Sequence, residues 1–181
     1  MRGLVFTEFL DFVEGVAGYD VVDEMILRAD PASGGAYTST GNYPFTELAA
    51  MIGALSELLN TPAPELIHAY GKHLFGRFSA LYPAFFEGPQ DTFSFLESVE
   101  SIVHVEVRKI YPDAQPPALK AERVGEAGMR LEYRSCRPLG ALCLGLIEGC
   151  AEHFGERLDV SHQPAEGGLS ILVTRVQASA A

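Results

Sequence analysis

The residues best suited to chemistry in this sequence are three polar side chains spaced two apart: Tyr133, Ser135 and Arg137. Successive side chains of an extended strand alternate between its faces, so residues at this spacing leave the same face. A phenol, a hydroxyl and a guanidinium then form one row of hydrogen-bond donors, here called the polar row. Arg137 can hold a carboxylate through two parallel hydrogen bonds, and the hydroxyls can satisfy its remaining oxygens. The row predicts a site for a fixed pair of carboxylates, although any polar strand face can show this spacing.

A second candidate is His104, which lies at the edge of an apolar helical stripe in the segment 101–107. The stripe consists of Leu96, Val99, Val103, Val107 and Ile110. Judged by position alone, such a histidine is more often a core residue with satisfied hydrogen bonds than a ligand. A single imidazole in apolar surroundings is also what a five-coordinate haem iron requires. The other histidines lack the spacing of a two-histidine metal site.

Together, these two features favour a haem site more strongly than either does alone. A haem needs one axial nitrogen, a large apolar cavity and polar partners for its two propionate carboxylates. His104, the aromatic-rich helices of the first half and the polar row supply one of each. A charge-assisted hydrogen bond from Arg137 to a propionate is worth about 1.5–3 kcal/mol, and less where the propionate stays solvated.

Composition and charge exclude several classes of protein. The chain has 181 residues, 48% of them hydrophobic, which is enough for one domain with a substantial core. Its net charge of −11, with only three lysines and no basic cluster, disfavours nucleic acid and anionic membranes as partners. Acidic residues at 8, 11 and 14 interrupt the apolar start, so no signal peptide is expected. No apolar stretch approaches the ~20 residues of a membrane span, and we expect a cytoplasmic protein.

The hydrophobic pattern divides the chain into a helical part and a part that contains a sheet. Helices are predicted near 6–13, 20–27, 45–59, 62–78 and 92–109, with a loop over 30–43. Prolines at 112, 116 and 117 make the segment 111–117 a predicted hinge. Strands are then predicted at 119–124, 129–135, 158–162 and 169–176, with a helix over 139–154. The expected fold is α+β and forms one domain (1–181). A helical N-terminal subdomain (1–111) is followed by a subdomain with a small antiparallel four-stranded sheet and a packed helix (118–181). The haem is expected between the two subdomains.

On these residues the sequence resembles the H-NOX family of haem nitric oxide/oxygen-binding domains, which also forms the haem region of soluble guanylate cyclase. The resemblance rests on Met1–Val5, on His104–Val107 with Pro116 and Pro117 after it, on the polar row, and on Gly145–Gly149. It covers nearly the whole chain in the family's order. The Tyr-x-Ser-x-Arg spacing is its most specific mark.

The resemblance implies a haem b cofactor and a role for individual residues. His104 would be the proximal iron ligand, and the polar row would hold the propionates. Pro117 would contact and bend the porphyrin. The remaining pocket residues implied at this stage are Phe78, Leu146 and Val5.

The resemblance also bears on which gas is bound. Some family members bind dioxygen because a distal tyrosine, supported by a tryptophan and an asparagine, donates a hydrogen bond to it. At the matching positions this chain has Leu142, Phe9 and Leu74, and it contains no tryptophan. Bound dioxygen needs a donor because it carries much of the iron's charge density, whereas NO and CO do not. The implied haem binds NO and CO in the ferrous state and discriminates against dioxygen, although Tyr70 could still reach the pocket.

The function implied is that of a gas sensor and not of an enzyme. In the family, NO weakens the bond to the proximal histidine, the helix that carries it is released, and the subdomains shift about the hinge. The expected partner is a separate effector, a histidine kinase or a cyclic-di-GMP enzyme. No zinc site is expected, because the segment 162–172 has one histidine and no cysteine.

Other readings stay open on the sequence. One is a haem-free module that binds an apolar carboxylate, with Arg137 as its anchor and His104 as a structural residue. A second is an oxygen-binding haem protein. A haem peroxidase is disfavoured, since the implied pocket offers neither a distal histidine nor a distal arginine.

Overall fold

A computed structural model describes residues 1–176, so positions 177–181 of the predicted domain lie outside the described residues. The helices of the first part are α1 (Gly3–Ala17), α2 (Tyr19–Ala29), α3 (Phe45–Leu59) and α4 (Ala63–Leu81). A 3₁₀ turn at Pro83–Phe86 leads to α5 (Thr92–Ser98), a π-helical turn (Val99–Val103) and α6 (His104–Ile110). After the segment 111–117, the predicted hinge, come β1 (Ala118–Val124), β2 (Gly128–Arg134), α7 (Gly140–His153), β3 (Leu158–Ala165) and β4 (Gly168–Arg175). The predicted α+β fold is confirmed.

The four strands form one antiparallel sheet in the order β1-β2-β4-β3. Each hairpin turns at a glycine with a positive φ, Gly125 at +66° and Gly167 at +71°, a conformation that glycine adopts without steric cost. Along β2 the side chains of Met129, Leu131 and Tyr133 are buried, in the period of two expected for a strand with one covered face. This pattern fixes the register and turns Tyr133 inward.

Two apolar cores stabilise the molecule. The first lies among α1–α4 and includes the buried residues of the α3 stripe, Leu48, Met51, Ile52 and Leu55. The second lies under the sheet, where α5 and α7 pack on the inward side chains of the strands. Within residues 1–176, no helix combines the length and the apolar character that crossing a bilayer requires.

The helix α7 joins the two cores through an unusually close crossing with α4. A Cβ atom added at Gly145 would collide with the backbone carbonyl oxygen of His68, and one at Gly71 would lie 2.5 Å from the carbonyl oxygen of Leu142. The two backbones therefore touch, which only glycine allows at these positions. This crossing sets the side chains of α7 directly against those of α4.

The run from α5 to α6 is held firmly at its start. The Asp91 carboxylate accepts a hydrogen bond from the Ser94 backbone N–H at 2.7 Å, and the Ser94 hydroxyl accepts one from the Asp91 N–H at 3.1 Å. This reciprocal capping satisfies two of the free N–H groups of the first turn. Arg175 of β4 binds the same carboxylate, so the start of the run is tied to the sheet.

The predicted helix over 92–109 is present but contains a π turn that the hydrophobic pattern does not reveal. The backbone N–H of His104 bonds to the carbonyl oxygen of Val99, five residues earlier, instead of the usual four. Such turns are rare and frequently mark functional sites. The run ends at Tyr111, next to Pro112, which cannot continue a helix.

We predict that Gly145→Ala destabilises the protein by about 1–3 kcal/mol, the range for overpacking, because the new methyl group meets backbone that cannot move aside. The matched control is Gly76→Ala in α4, where a Cβ meets nothing within 4 Å. This control should raise stability by about 0.5–1 kcal/mol through the better helix propensity of alanine. Urea unfolding of both variants measures the difference, and equal effects would contradict the proposed helix contact.

Candidate functional site

His104 is the first residue of α6, and one of its ring nitrogens is hydrogen-bonded to a carboxylate. Its side chain is 14% exposed, and its Nδ1 lies 2.9 Å from Oε2 of Glu100, one turn earlier. The other oxygen of Glu100 accepts a hydrogen bond from Nη2 of Arg108 at 2.7 Å, and Oε2 also accepts the backbone N–H of Leu119 at 3.3 Å. Glu100 thus joins the histidine to the start of β1.

The charge state of Glu100 fixes the tautomer of His104. Burial disfavours the charged carboxylate, but the hydrogen bonds from Arg108, His104 and Leu119 outweigh it and hold the pKa of Glu100 below its ordinary value. An ionised carboxylate can only accept hydrogen bonds, so Nδ1 of the neutral imidazole carries the proton. Nε2 then carries the lone pair, which is the form that ligates a metal.

The surroundings of His104 differ from those of an ordinary core histidine. Within residues 1–176, Nε2 has no hydrogen-bond partner, and no residue of α6 is buried. Apart from the π turn that directly precedes it, α6 makes only sparse contacts with other elements and is loosely packed. The alternative of a core histidine with both nitrogens satisfied is therefore not supported.

The polar row meets in one cavity of about 480 Å³, which also includes residues of the β3–β4 turn. Tyr133 lies at the end of β2 and is 5% exposed; burial raises the pKa of its phenol, which the Ser135 hydroxyl partly offsets. The Ser135 backbone N–H donates to the carbonyl oxygen of Gly167 at 3.0 Å. This contact continues the sheet one residue past the strand.

Arg137 reaches the cavity by a different route from the one that the spacing predicts. The strand ends at Arg134, and the chain turns as the Ser135 hydroxyl accepts the Arg137 backbone N–H at 3.1 Å. Such a serine turn competes with strand geometry and redirects the following side chain. The strand alternation thus accounts for Tyr133 and Ser135 but not for Arg137.

Arg137 is partly buried, and among residues 1–176 its guanidinium makes one hydrogen bond, from Nη1 to the carbonyl oxygen of Gln115 at 3.2 Å. Within residues 1–176 it pairs with no carboxylate, whereas most other arginines in this part of the chain form ion pairs. Gln115 belongs to the hinge, directly before Pro116 and Pro117. The polar row therefore places hydrogen-bond donors beside the segment 111–117.

The six apolar residues implied for the pocket gather in one cluster. Phe9 and Leu74 are fully buried within the helical core. Four partly exposed side chains pack against the same core: Val5, Phe78, Leu142 and Leu146. Pro117 is partly buried in the hinge and does not belong to this cluster, so its contact with a porphyrin stays a prediction.

Two contacts connect His104 to the other groups. Val103, its neighbour, packs with Leu146 against the cluster of Phe75, Phe95 and Cys150. Glu100 reaches Leu119, which pairs across the sheet with Tyr133. His104 itself lies on a separate helix and lines neither the cavity of the polar row nor the neighbouring one near His162.

Tyr70, which the sequence leaves as a possible distal donor, is engaged elsewhere. Its hydroxyl donates to the carbonyl oxygen of Val5 at 2.6 Å, and its ring meets Phe9 edge-on with centroids 5.2 Å apart. Tyr37 of the same cluster donates to Glu47 at 2.9 Å. Neither phenol proton is free to point into a ligand pocket.

Sequence reasoning missed Glu100 and Arg108 as part of the site. With His104 they form a series spaced four residues apart, which places all three on one side of a helix. That spacing was the available signal.

The chain matches the model of the Haem-NO-binding family over residues 2–162. The unliganded Fe(II) H-NOX protein from K. algicida is 32% identical, with a TM-score of 0.91 and 99% of each chain covered. The IWP-051-bound H-NOX from Shewanella woodyi in the Fe(II)CO state is 34% identical, with a TM-score of 0.85, covering 100% of this chain and 97% of that one.

A third structure, an H-NOX protein from S. oneidensis in the Fe(II)NO state, shares the fold at 23% identity. Its TM-score is 0.90, with 98% of this chain and 100% of that chain covered. Among curated proteins, none matches this sequence. The family match spans most of the chain, and two solved relatives exceed 30% identity over nearly its full length. The chain therefore belongs to the Haem-NO-binding, or H-NOX, family.

Proposed function

We propose that this chain is a haem b-based gas sensor that binds NO and CO in the ferrous state and discriminates against dioxygen. It signals by loss of the bond to His104, acts in the cytoplasm, and passes the signal to a separate effector, a histidine kinase or a cyclic-di-GMP enzyme. Residues 1–181 form one domain, and its role is sensing and not catalysis. The observation that carries the proposal is the Glu100–His104 pair, which leaves Nε2 of the imidazole available as a ligand.

The residues present fit a haem. His104 provides one nitrogen with a lone pair, and Arg137 has no carboxylate partner within residues 1–176, as a propionate anchor requires. Leu142 and Leu146 provide partly exposed apolar surface beside the helical core. The sequence has no Cys-x-x-Cys-His segment for covalent attachment, which favours haem b. A bound haem supplies the iron that takes the gas.

The distal side supports selectivity against dioxygen. Leu142, Phe9 and Leu74 occupy the positions at which some relatives place hydrogen-bonding groups, and all three pack in or on the helical core. Tyr70 keeps its proton on the Val5 carbonyl oxygen. A polarised dioxygen would find no donor from these residues, whereas NO and CO need none.

The loosely packed helix α6 supports signalling through His104. The Asp91 cap lies at the start of α5, whereas α6 itself begins without a side-chain cap and ends at Tyr111, next to Pro112. Release of His104 therefore frees a helix that few other contacts hold. Such an element has two arrangements whose balance a ligand can shift.

The first test is the absorption spectrum of the ferrous protein. We expect a five-coordinate spectrum that is unchanged in air and that shifts with NO and with CO. A stable oxy complex would contradict the selectivity. The absence of a Soret band after reconstitution would instead favour the haem-free module that binds an apolar carboxylate.

The proximal role of His104 has its own prediction. His104→Gly should lose haem unless free imidazole is added, because imidazole replaces the missing axial nitrogen. The control is His162→Gly on β3, an exposed histidine that does not line the cavity of the polar row, and this variant should keep its haem. Retention of the wild-type spectrum by His104→Gly without imidazole would show that another residue is the ligand.

The distal pocket is tested by Leu142→Tyr, which adds one phenol donor at the position that the resemblance assigns to the distal tyrosine. We expect a measurable affinity for dioxygen. Leu142→Phe adds the same ring without the hydroxyl and should give none. Equal behaviour of the two variants, by absorption titration with dioxygen, would place Leu142 outside the distal pocket.

The polar row is tested by Arg137→Gln, which should weaken haem binding by about 1.5–3 kcal/mol, or about 10-fold to 150-fold. The control Arg134→Gln alters an exposed arginine that ends β2 and does not line the cavity. Haem transfer to an apoprotein acceptor measures both. An equal loss of haem affinity in the two variants would show that Arg137 acts only through the net charge of the protein and not as a propionate anchor.

A further inference from the structure

We propose that Glu100 is a positioning residue that sets the strength of the bond between His104 and the haem iron, and so the ease with which NO releases the helix. The inference rests on the proposed function and assigns a determinant of its sensitivity to one carboxylate. It is carried by the contacts of that carboxylate.

Both oxygens of the Glu100 carboxylate take part in hydrogen bonds. Oε2 accepts a hydrogen bond from Nδ1 of His104 at 2.9 Å and one from the backbone N–H of Leu119 at 3.3 Å. Oε1 accepts a hydrogen bond from Nη2 of Arg108 at 2.7 Å. Arg108 and the backbone amide are donors only, so the carboxylate acts as acceptor toward all three groups.

A carboxylate on Nδ1 changes the histidine as a ligand. It fixes the ring orientation and the tautomer, and it raises the basicity of Nε2 by drawing on the Nδ1 proton. A more basic imidazole donates more strongly to iron and resists displacement from the opposite side. Glu100 therefore strengthens the bond that NO must break.

Arg108 acts against this effect. Its guanidinium shares the same carboxylate and attracts part of the negative charge away from the Nδ1 proton. Without Arg108, the carboxylate would bind the imidazole more strongly. Glu100 and Arg108 thus have opposite influences on His104, although they form one ion pair.

The same carboxylate also gives a route from the ligand to the sheet. Leu119 lies in β1 and pairs with Tyr133 of the polar row. A rotation of the His104 ring that displaces Glu100 would therefore alter the hydrogen bond to the Leu119 N–H. This contact spans the hinge, because Glu100 precedes the segment 111–117 and Leu119 follows it.

The test is resonance Raman spectroscopy of the ferrous protein, which measures the iron–histidine stretching frequency. Glu100→Gln keeps the shape of the side chain but removes its charge, and it should move the band to lower frequency. It should also raise the fraction of five-coordinate species formed with NO. The matched control is Glu106→Gln in α6, whose side chain is also 41% exposed and, within residues 1–176, forms an ion pair with Lys109 alone. An unchanged band in Glu100→Gln, or an equal shift in the control, overturns the inference.

A second variant separates tuning from a loss of structure. Arg108→Gln should move the band to higher frequency, in the direction opposite to Glu100→Gln, and it gives this readout even if Glu100→Gln fails to fold. A purely structural ion pair would shift the band downward in both variants or leave it unchanged in Arg108→Gln, and either result overturns the inference. If the wild-type protein shows no iron–histidine band, the proposed function fails; if it shows one that neither variant moves, only the role of Glu100 fails.

Discussion

The structure depends on the contact between α4 and α7, where glycines let two helix backbones touch. Gly145 meets the backbone of α4 at His68, while Cys143 and Ile147 of the same helix pack under the sheet. One helix therefore belongs to both cores and fixes their relative position. Because this contact is between backbones, it leaves little freedom for adjustment. It provides the rigid apolar wall from which Leu142 and Leu146 project.

The helix that carries His104 is packed far more loosely than the contact between α4 and α7. The run from α5 to α6 is capped at the start of α5 by Asp91, which also ties it to β4, but α6 itself buries no residue and ends beside Pro112. A few polar contacts, above all those of Glu100, connect it to the rest of the protein. The proposed function requires this combination of a fixed apolar surface and a helix whose position a ligand could change.

Much of this arrangement follows from local sequence. The bounds of α3 agree with its apolar stripe, and both hairpins turn at glycines that lie between the predicted strands, because period and turn chemistry are local properties. Tyr133 faces inward as the strand period predicts. The gathering of Phe9, Leu74 and Leu142, from three separate helices, was available only through the resemblance to a known family.

Other features depend on tertiary structure and are not visible in such patterns. The π turn before His104 does not interrupt the apolar spacing of the sequence, so that spacing does not reveal it. Arg137 joins the polar row through a serine turn and not through strand alternation. The partner of Tyr70, a carbonyl oxygen 65 residues away, could not be assigned from sequence.

The most direct test of the account is a crystal structure of the ferrous, haem-loaded protein. We expect iron bound to Nε2 of His104, with Nδ1 still hydrogen-bonded to Glu100, the propionates on Arg137, and no hydrogen-bond donor over the opposite face of the haem. An iron bound by another residue, or a polar side chain directed at the gas-binding position, would contradict the account.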